Sequence, residues 1–275
     1  MKKKTCKILA YAAMLLFALI QIFPFLWLVN FSLKGTAQIF TESSLSLPNP
    51  VIWNNYQEAW FKGNVAKYFM NSVLVSAVSV GGILLIAGMM AYAITRLTWK
   101  WKKGTFNLLM LGMMIPIHAT LIPLFIVLKK MHLLSTHMGI ILPYIATGLP
   151  LAVFIYSNFI RSIPFEMESA AAIDGCSVTK MYFKIILPIL KPATATIAIF
   201  SFMSIWNEFI MASTFLQNQS LNTLPVGLMA FKGQYLTDWG PLGAAIVIAS
   251  IPILLFYFIF SEQVEKSFAA GAALK

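Results

Sequence analysis

Residues 68–95, YFMNSVLVSAVSVGGILLIAGMMAYAIT, form a run of 28 positions without a charged side chain between Lys67 and Arg96. A helix needs about 20 apolar residues to cross a hydrocarbon layer about 30 Å thick. The run is therefore long enough to span a membrane as a single helix. Its apolar residues follow one another without the alternation that is typical of a barrel strand, and this favours a helical span.

The composition of the whole chain agrees with a membrane protein. Of the 275 residues, 59% are hydrophobic and only 11% are charged, and the mean hydropathy is +0.80. Because a soluble domain has about 25% charged residues, these values exclude a soluble enzyme, a disordered chain and a secreted disulfide scaffold. In a soluble domain the net charge of +11 would indicate nucleic-acid binding. In a membrane protein it indicates orientation signals instead, so we expect no nucleic-acid partner.

Five further apolar runs lie between charged residues in the same way, and together they predict an all-α polytopic membrane protein with six transmembrane helices. The predicted spans cover residues 8–32, 68–94, 105–128, 139–160, 193–216 and 240–261. Lys and Arg residues concentrate on the cytoplasmic side of a membrane protein. If the N-terminus is cytoplasmic, 14 of the 20 Lys and Arg residues lie on that side. We therefore predict cytoplasmic N- and C-termini and one transmembrane domain over residues 1–275.

The first outside loop, residues 34–67, is long enough for structure of its own and contains aromatic residues such as Trp53 and Trp60. An interfacial aromatic belt and a docking surface for an external partner both explain these residues.

The longest inside loop, residues 161–192, has the sequence RSIPFEMESAAAIDGCSVTKMYFKIILPILKP. Pro164 suits the first turn of a helix, and Asp174-Gly175 should end that helix because glycine adopts the left-handed conformation easily. Ser177 is a suitable N-cap for a second helix that runs to about Leu187. The loop is thus predicted to form two helices around a glycine bend. From the residues alone it is either a docking element or a connection that lies on lipid.

The run from Glu168 to Gly175, followed by Leu187-Pro188, resembles the EAA loop of ABC-importer permeases. The family pattern is Glu-Ala-Ala, three residues, Gly, and later Ile-x-Leu-Pro. The remainder of the chain is similar to the carbohydrate branch of this family, of the maltose and multiple-sugar type. The similarity includes Asn71-Ser72, the run 206–209 (WNEF) and the run 223–228 (TLPVGL).

The resemblance implies an ABC importer type I permease that moves a sugar, of oligosaccharide size, across a bacterial plasma membrane. Such a permease pairs with a second homologous permease, two copies of a cytoplasmic ATPase that uses ATP and Mg²⁺, and an extracellular solute-binding protein. Loop 161–192 would be the coupling helix that rests on the ATPase. The coupling residues are then Glu168, Ser169, Ala170, Ala171, Asp174, Gly175, Leu187 and Pro188.

This sequence departs from the family pattern at one position. By spacing back from Gly175, the family's glutamate falls on Ser169, which leaves Glu168, one position earlier, as the candidate substitute. Glu168, Asp174 and Lys180 are the residues we expect to supply polar contacts at the rim of the docking surface.

Four residues are candidates for the substrate pathway: Asn71, Trp206, Asn207 and Glu208. Glu208 is the acidic residue that the predicted spans place within the membrane, where an unpaired charge is costly. An aromatic ring beside amide and carboxylate groups suits a sugar. Polar contacts between helices explain Glu208 and Asn71 equally well.

The sequence favours no catalytic or metal site. It has no G-x-x-x-x-G-K-[ST] run, which a triphosphate-binding loop would require, so we expect neither an enzyme nor a cofactor in this chain. An ion-coupled secondary transporter half-unit is the alternative function. It would need several ionisable residues within the spans.

Overall fold

The computed structural model describes residues 2–231 and 237–273, with side chains for residue 7, residues 9–231 and residues 237–260. Every regular element in these ranges is a helix, which confirms the all-α prediction. The α-helices are α1 Lys2–Ser32, α2 Thr36–Thr41, α3 Asn54–Gln57, α4 Val65–Arg96, α5 Lys102–Met114, α6 Leu121–Lys130, α7 Met138–Ser162, α8 Glu166–Ile173, α9 Val178–Met181, α10 Leu187–Ile189, α11 Lys191–Trp206, α12 Ile210–Phe215, α13 Leu224–Gly227 and α14 Trp239–Ala273. Short 3₁₀ turns cover Ile117–Thr120, Gln219–Leu221 and Leu228–Phe231, and π-helical turns cover Glu58–Lys62 and Tyr182–Ile186.

Four helices in the described ranges are long and apolar enough to cross a membrane. They are Leu9–Ser32, Val65–Arg96, Met138–Ser162 and Trp239–Phe260. Two bent helix pairs also qualify, Lys102–Met114 with Ile117–Lys130 at 96° and Val178–Ile189 with Lys191–Trp206 at 76°. The count reaches six if each bent pair is one span, which is compatible with the predicted number.

The third predicted span, residues 105–128, is not one straight helix. Helix α5 ends at Met114, and Ile115 has an extended backbone with φ −80° and ψ 118°. The residue before a proline is sterically driven away from the helical region, so Pro116 accounts for the break.

The fifth predicted span, residues 193–216, is wrong as a continuous helix. Helix α11 ends at Trp206, and the six-residue helix α12 begins only at Ile210. The sequence reasoning missed this break because the intervening residues include no proline or glycine.

The described residues form two compact units, and the interpretation of the chain as a single domain stays a prediction. The first unit combines the residues up to Lys67 with Gly227–Ile251. In it the loop after α1 has structure of its own, because the buried Lys34 ammonium donates to the Ser43 carbonyl at 3.1 Å and to Ser46 Oγ at 2.9 Å. The Asn55 amide donates to the carbonyl of Ser32 at the end of α1 and to the carbonyl of Lys34, both at 2.9 Å.

The second unit combines Tyr68–Val226 with the residues from Pro252 onward. Helix α7 is at its centre and packs against α5 and α11. Its side chains Val153, Tyr156 and Ile160 are fully buried, and the Tyr156 hydroxyl lies 2.9 Å from Thr194 Oγ1 on α11. This unit contains every residue of the candidate site.

Candidate functional site

The predicted helix, glycine bend and second helix are present in loop 161–192. Helix α8 ends at Ile173, and Gly175 follows with φ +75°. The Gly175 N–H donates to the Ala172 carbonyl at 3.0 Å and the Cys176 N–H donates to the Ala171 carbonyl at 2.9 Å. This pattern is a Schellman motif, which ends a helix and reverses the chain at a left-handed residue.

The second helical stretch begins where the sequence predicts it. Ser177 has an extended backbone, and its side chain accepts a hydrogen bond from the Lys180 N–H at 3.4 Å. Helix α9, a π-helical turn and α10 then follow without interruption to Ile189. Leu187 is half-buried and Pro188 is exposed within α10. The π-helical turn has no signal in the sequence.

Glu168 does not lie at the rim of the loop, so that part of the prediction is wrong. Its side chain is 4% exposed and forms an ion pair with Arg96, with 2.6 Å between Glu168 Oε1 and Arg96 Nε. The Tyr92 hydroxyl donates to the other carboxylate oxygen at 3.0 Å. Successive helical residues are about 100° apart around the axis, so the carboxylate points into the protein while Ser169 next to it is half-buried.

Arg96 also fixes the end of α7. Its Nη2 donates to the carbonyls of Ile160 at 2.8 Å and Ile163 at 2.5 Å. The Ile160 carbonyl also accepts from the Ile163 N–H at 3.1 Å. The guanidinium therefore adds a second donor at Ile160 and supplies a donor to the Ile163 carbonyl just beyond the helix, where carbonyls lack partners within the helix. One cation at the end of α4 therefore connects the C-terminal end of α7 with helix α8.

A second contact joins the loop to α4. The Tyr182 side chain is buried, and its ring centroid lies 5.3 Å from that of Tyr92. A Cβ atom at Gly88 would overlap the Tyr182 hydroxyl, so only glycine allows this close approach. Sequence reasoning missed Gly88, Tyr92 and Arg96 as site residues, whereas Tyr182 is expected from the sequence as part of the apolar surface of the loop. Arg96 had a signal, since it closes the second span, but it was counted only as an orientation charge.

The solvent-exposed side of the loop is apolar. The exposed fractions are 86% for Ile173, 57% for Phe165 and 52% for Val178. Together with Ala172 and Met181 these residues line a groove of about 430 Å³. The remaining predicted coupling residues are Ala170 and Asp174, which are exposed, and Ala171, which is half-buried. An exposed apolar surface around a tight bend is typical of a protein contact.

Glu208 lies at the break between α11 and α12 and caps the second of these helices. Its carboxylate accepts hydrogen bonds from the backbone N–H groups of Met211 at 2.7 Å and Ala212 at 3.1 Å. The Tyr144 hydroxyl on α7 donates to it at 2.6 Å. The carboxylate thus stabilises the first turn of α12, whose amides have no partner within the helix, and the break in the predicted fifth span follows from these contacts.

Glu208 also lines a cavity of about 200 Å³. The polar side chains of its wall include Thr147, Ser201 and Ser204, and Phe200 contributes an aromatic ring. Of the four predicted pathway residues, all within the described ranges, Glu208 is the one that lines this cavity.

The other three pathway candidates make different contacts. The Asn71 amide donates to the carbonyls of Ser220 at 3.1 Å and Asn222 at 2.9 Å. Trp206 is buried, with its ring centroid 5.3 Å from that of Phe202. Asn207 is exposed, and its amide donates to a carbonyl of α11. Asn71 therefore connects a helix to a loop, and the pathway role of these three residues stays a prediction.

No group of three or more His, Cys, Asp or Glu side chains with the geometry of a metal site occurs among the described residues.

Comparison with known proteins identifies the family. Residues 83–269 match the family described as "Binding-protein-dependent transport system inner membrane component". The chain is 34% identical over 265 residues to the diacetylchitobiose uptake system permease protein of Streptomyces coelicolor, covering 96% of this chain and 87% of that protein. It is 32% identical over 250 residues to the sulfoquinovosyl glycerol transport system permease protein of Agrobacterium fabrum, covering 91% and 88%.

The fold is also similar to a solved structure. A chain of a bacterial ABC transporter involved in the import of the acidic polysaccharide alginate superimposes with a TM-score of 0.84 at 20% identity, and the match covers 96% of this chain and 98% of that one. The family match extends from the middle of α4 through the bent loop and α11 to α14. The chain therefore belongs to the inner membrane components of binding-protein-dependent transport systems, which are multi-pass proteins of the bacterial plasma membrane.

Proposed function

We propose that this chain is the permease subunit of an ATP-driven importer for a small oligosaccharide or a related glycoside. It pairs with a second permease, two copies of a cytoplasmic ATPase that consume ATP with Mg²⁺, and an extracellular solute-binding protein. The observation that supports this most strongly is the bent loop 161–192. Its apolar surface is exposed, and its Glu168 forms an ion pair with Arg96 of α4.

The loop suits a mechanical contact because its conformation is fixed from within. The Schellman motif at Gly175 sets the angle between α8 and the following helix. The ion pair of Glu168 with Arg96 and the contact of Tyr182 with Gly88 hold both helices against α4. A force applied by the ATPase at Ile173 would then move α4 together with the loop. Nucleotide and sugar would act as two ligands of one conformational equilibrium.

The substrate class follows from two observations. The relatives described above are named for diacetylchitobiose and sulfoquinovosyl glycerol, and both are glycosides. The cavity beside Glu208 offers the hydroxyls of Ser201 and Ser204 and the ring of Phe200. Hydroxyl groups with one aromatic face suit a sugar, and about 200 Å³ is the space of roughly seven water molecules. We assign this cavity to the sugar pathway and expect one sugar ring to fill it.

The proposed function is tested by purifying the tagged chain from its native membrane. We expect a second permease and an ATP-binding subunit to copurify, with vanadate-sensitive ATPase activity. In a strain that lacks the chromosomal copy, the chain should restore ATP-dependent uptake of at least one member of a radiolabelled disaccharide panel. Uptake that follows an ion gradient and needs no ATP would contradict the proposal and favour the secondary transporter.

Replacement of Glu208 by alanine should destabilise the assembled complex and reduce uptake. The N–H groups of Met211 and Ala212 lose their acceptor, and loss of such a cap costs about 0.5–2 kcal/mol. Glu208→Gln keeps one acceptor oxygen and should lie between wild type and Glu208→Ala. Thermal unfolding of the purified complex and sugar uptake measure the two effects, with Ser213→Ala as the control, since Ser213 is an exposed residue of α12 whose hydroxyl donates to the Ile210 carbonyl of its own helix. Wild-type stability and uptake in Glu208→Ala would refute this role.

A further inference from the structure

Helix α4 makes specific polar contacts at both of its ends. Arg96 and Tyr92 at its C-terminal end bind Glu168 of loop 161–192, which we name the coupling loop. Near its N-terminal end, Asn71 and Ser72 bind a second stretch of chain, Phe215–Leu224. We name it the outer segment because the residues that follow the fifth predicted span, from 217 onward, are expected to lie outside. The coupling loop and the outer segment are thus attached to opposite ends of one helix.

The attachment at the outer segment consists of three hydrogen bonds to backbone groups. The Asn71 amide donates to the carbonyls of Ser220 and Asn222, and Ser72 Oγ accepts from the Leu224 N–H at 2.7 Å. The segment between α12 and α13 has only a three-residue 3₁₀ turn of its own, so its position depends on such side chains. The Asn71 and Ser72 contacts are named the latch below.

The outer segment is also tied to the loop before α7. The Ser135 N–H donates to the Phe215 carbonyl at 2.9 Å, and Ser135 Oγ accepts from the Gln217 N–H at 3.2 Å. These contacts hold the outer segment together as one unit. A displacement of α4 should therefore move the whole segment, including the exposed side chains of Gln217 and Gln219.

Helix α4 is built to transmit displacement along its length. Residues 71 and 96 are separated by 25 helical positions, which corresponds to about 38 Å along the axis at 1.5 Å per residue. Its sequence contains no proline, whereas α1, α7 and α14 each contain at least one. Sharp helix kinks arise at proline and also at Gly/Ser pairs. Gly81 and Gly82 lie between the two ends of α4, yet the structure has one uninterrupted α-helix from Val65 to Arg96, so we expect α4 to move as one body.

We propose that α4 is the connecting rod between the coupling loop and the outer segment, and that Asn71 and Ser72 are its positioning residues at the outer end. This rests on the proposed contact of the coupling loop with an ATPase. Nucleotide binding then changes the position of the outer segment, where a solute-binding protein would meet the permease, and by linkage a ligand on that segment changes nucleotide affinity. Removal of the latch disconnects the coupling loop from the outer segment, and it leaves unchanged the residues that contact the ATPase and the solute-binding protein.

The test uses the complete importer in nanodiscs with a fluorescent label on Gln219→Cys, after Cys6 and Cys176 are replaced by serine. The label response to vanadate trapping is compared in the parent, Asn71→Ala and Ser72→Ala. Ser76→Ala is the matched control, since Ser76 is a buried serine one turn further along α4 whose hydroxyl has no hydrogen-bond partner in the described structure. Basal ATPase activity confirms that each variant is assembled.

We expect the label response to fall about threefold or more in both latch variants, the scale that coupling residues distant from a ligand produce. It should remain at the parent level in Ser76→Ala. A full response in Asn71→Ala and Ser72→Ala would overturn the proposal while leaving the proposed function intact. If no ATPase copurifies with the parent chain, the proposed function fails and the connecting rod fails with it.

Discussion

Replacement of Gly175 by valine is expected to abolish sugar uptake while leaving the chain in the membrane at its normal level. Gly175 has φ +75° and ends α8 in a Schellman motif. A non-glycine residue in this conformation costs roughly 1–2 kcal/mol, and a β-branched one is a genuine outlier there. The bend should open, so that Ile173 and Val178 no longer form one surface. ATP-dependent uptake and the ATPase activity of the purified complex measure this loss of coupling.

The backbone conformation is the cause that we expect, and a matched substitution separates it from side-chain bulk. A Cβ atom at Gly175 would have no neighbour within 4 Å, so a clash is not involved. Asparagine adopts the left-handed conformation more easily than other non-glycine residues, so Gly175→Asn should retain much of the uptake. Wild-type uptake in Gly175→Val, or equal losses in the valine and asparagine variants, would contradict this explanation.

Replacement of Arg96 by alanine should be the most damaging change at the coupling loop. It leaves the buried Glu168 carboxylate without its ion partner and removes the guanidinium donor from the carbonyls of Ile160 and Ile163, of which Ile160 keeps the Ile163 N–H. Removing one partner of a buried ion pair costs about 3–5 kcal/mol. We expect a lower yield of the purified complex, loss of the copurifying ATPase and no sugar uptake.

Two comparisons separate positioning by Arg96 from a general folding defect. The double variant Arg96→Met with Glu168→Met removes both charges and should recover part of the yield, because an apolar pair avoids the unpaired charge. Ser169→Ala changes the position where the family pattern has its glutamate, yet Ser169 Oγ donates only to the Phe165 carbonyl of its own helix, and uptake should stay near wild type. Severe loss in Ser169→Ala with normal function in Arg96→Ala would reverse the roles we assign.

Much of the membrane fold is predictable because apolar length is a property of the sequence alone. The run 68–95 corresponds to α4, and the predicted span 139–160 corresponds to α7. The breaks were harder to predict. Pro116 marks one of them, but the break after Trp206 depends on the hydrogen bonds that Glu208 makes with amides of α12 and with Tyr144 of α7, and the last of these partners is 64 positions away.

The candidate site likewise has features that the local sequence predicts and features that depend on distant residues. The bend at Gly175 and the cap at Ser177 are local, since each depends on residues within a few positions, and both were predictable. The inward orientation of Glu168 was not, because it requires knowing that Arg96 and Tyr92 of α4 lie beside α8. The similarity of Asn71-Ser72 to a family pattern indicated importance but not the hydrogen bonds to the outer segment.

The apolar tip of loop 161–192 is expected to contact an ATPase inside the cell. A photo-crosslinking amino acid at position 173, whose isoleucine is 86% exposed, tests it directly. The same amino acid at position 45, an exposed residue of the loop after α1, is the control. We predict a crosslink to an ATP-binding subunit from position 173 and none from position 45. Two results together would contradict this contact: no such crosslink from position 173, and labelling of a cysteine at position 173 by a reagent that cannot enter the cell.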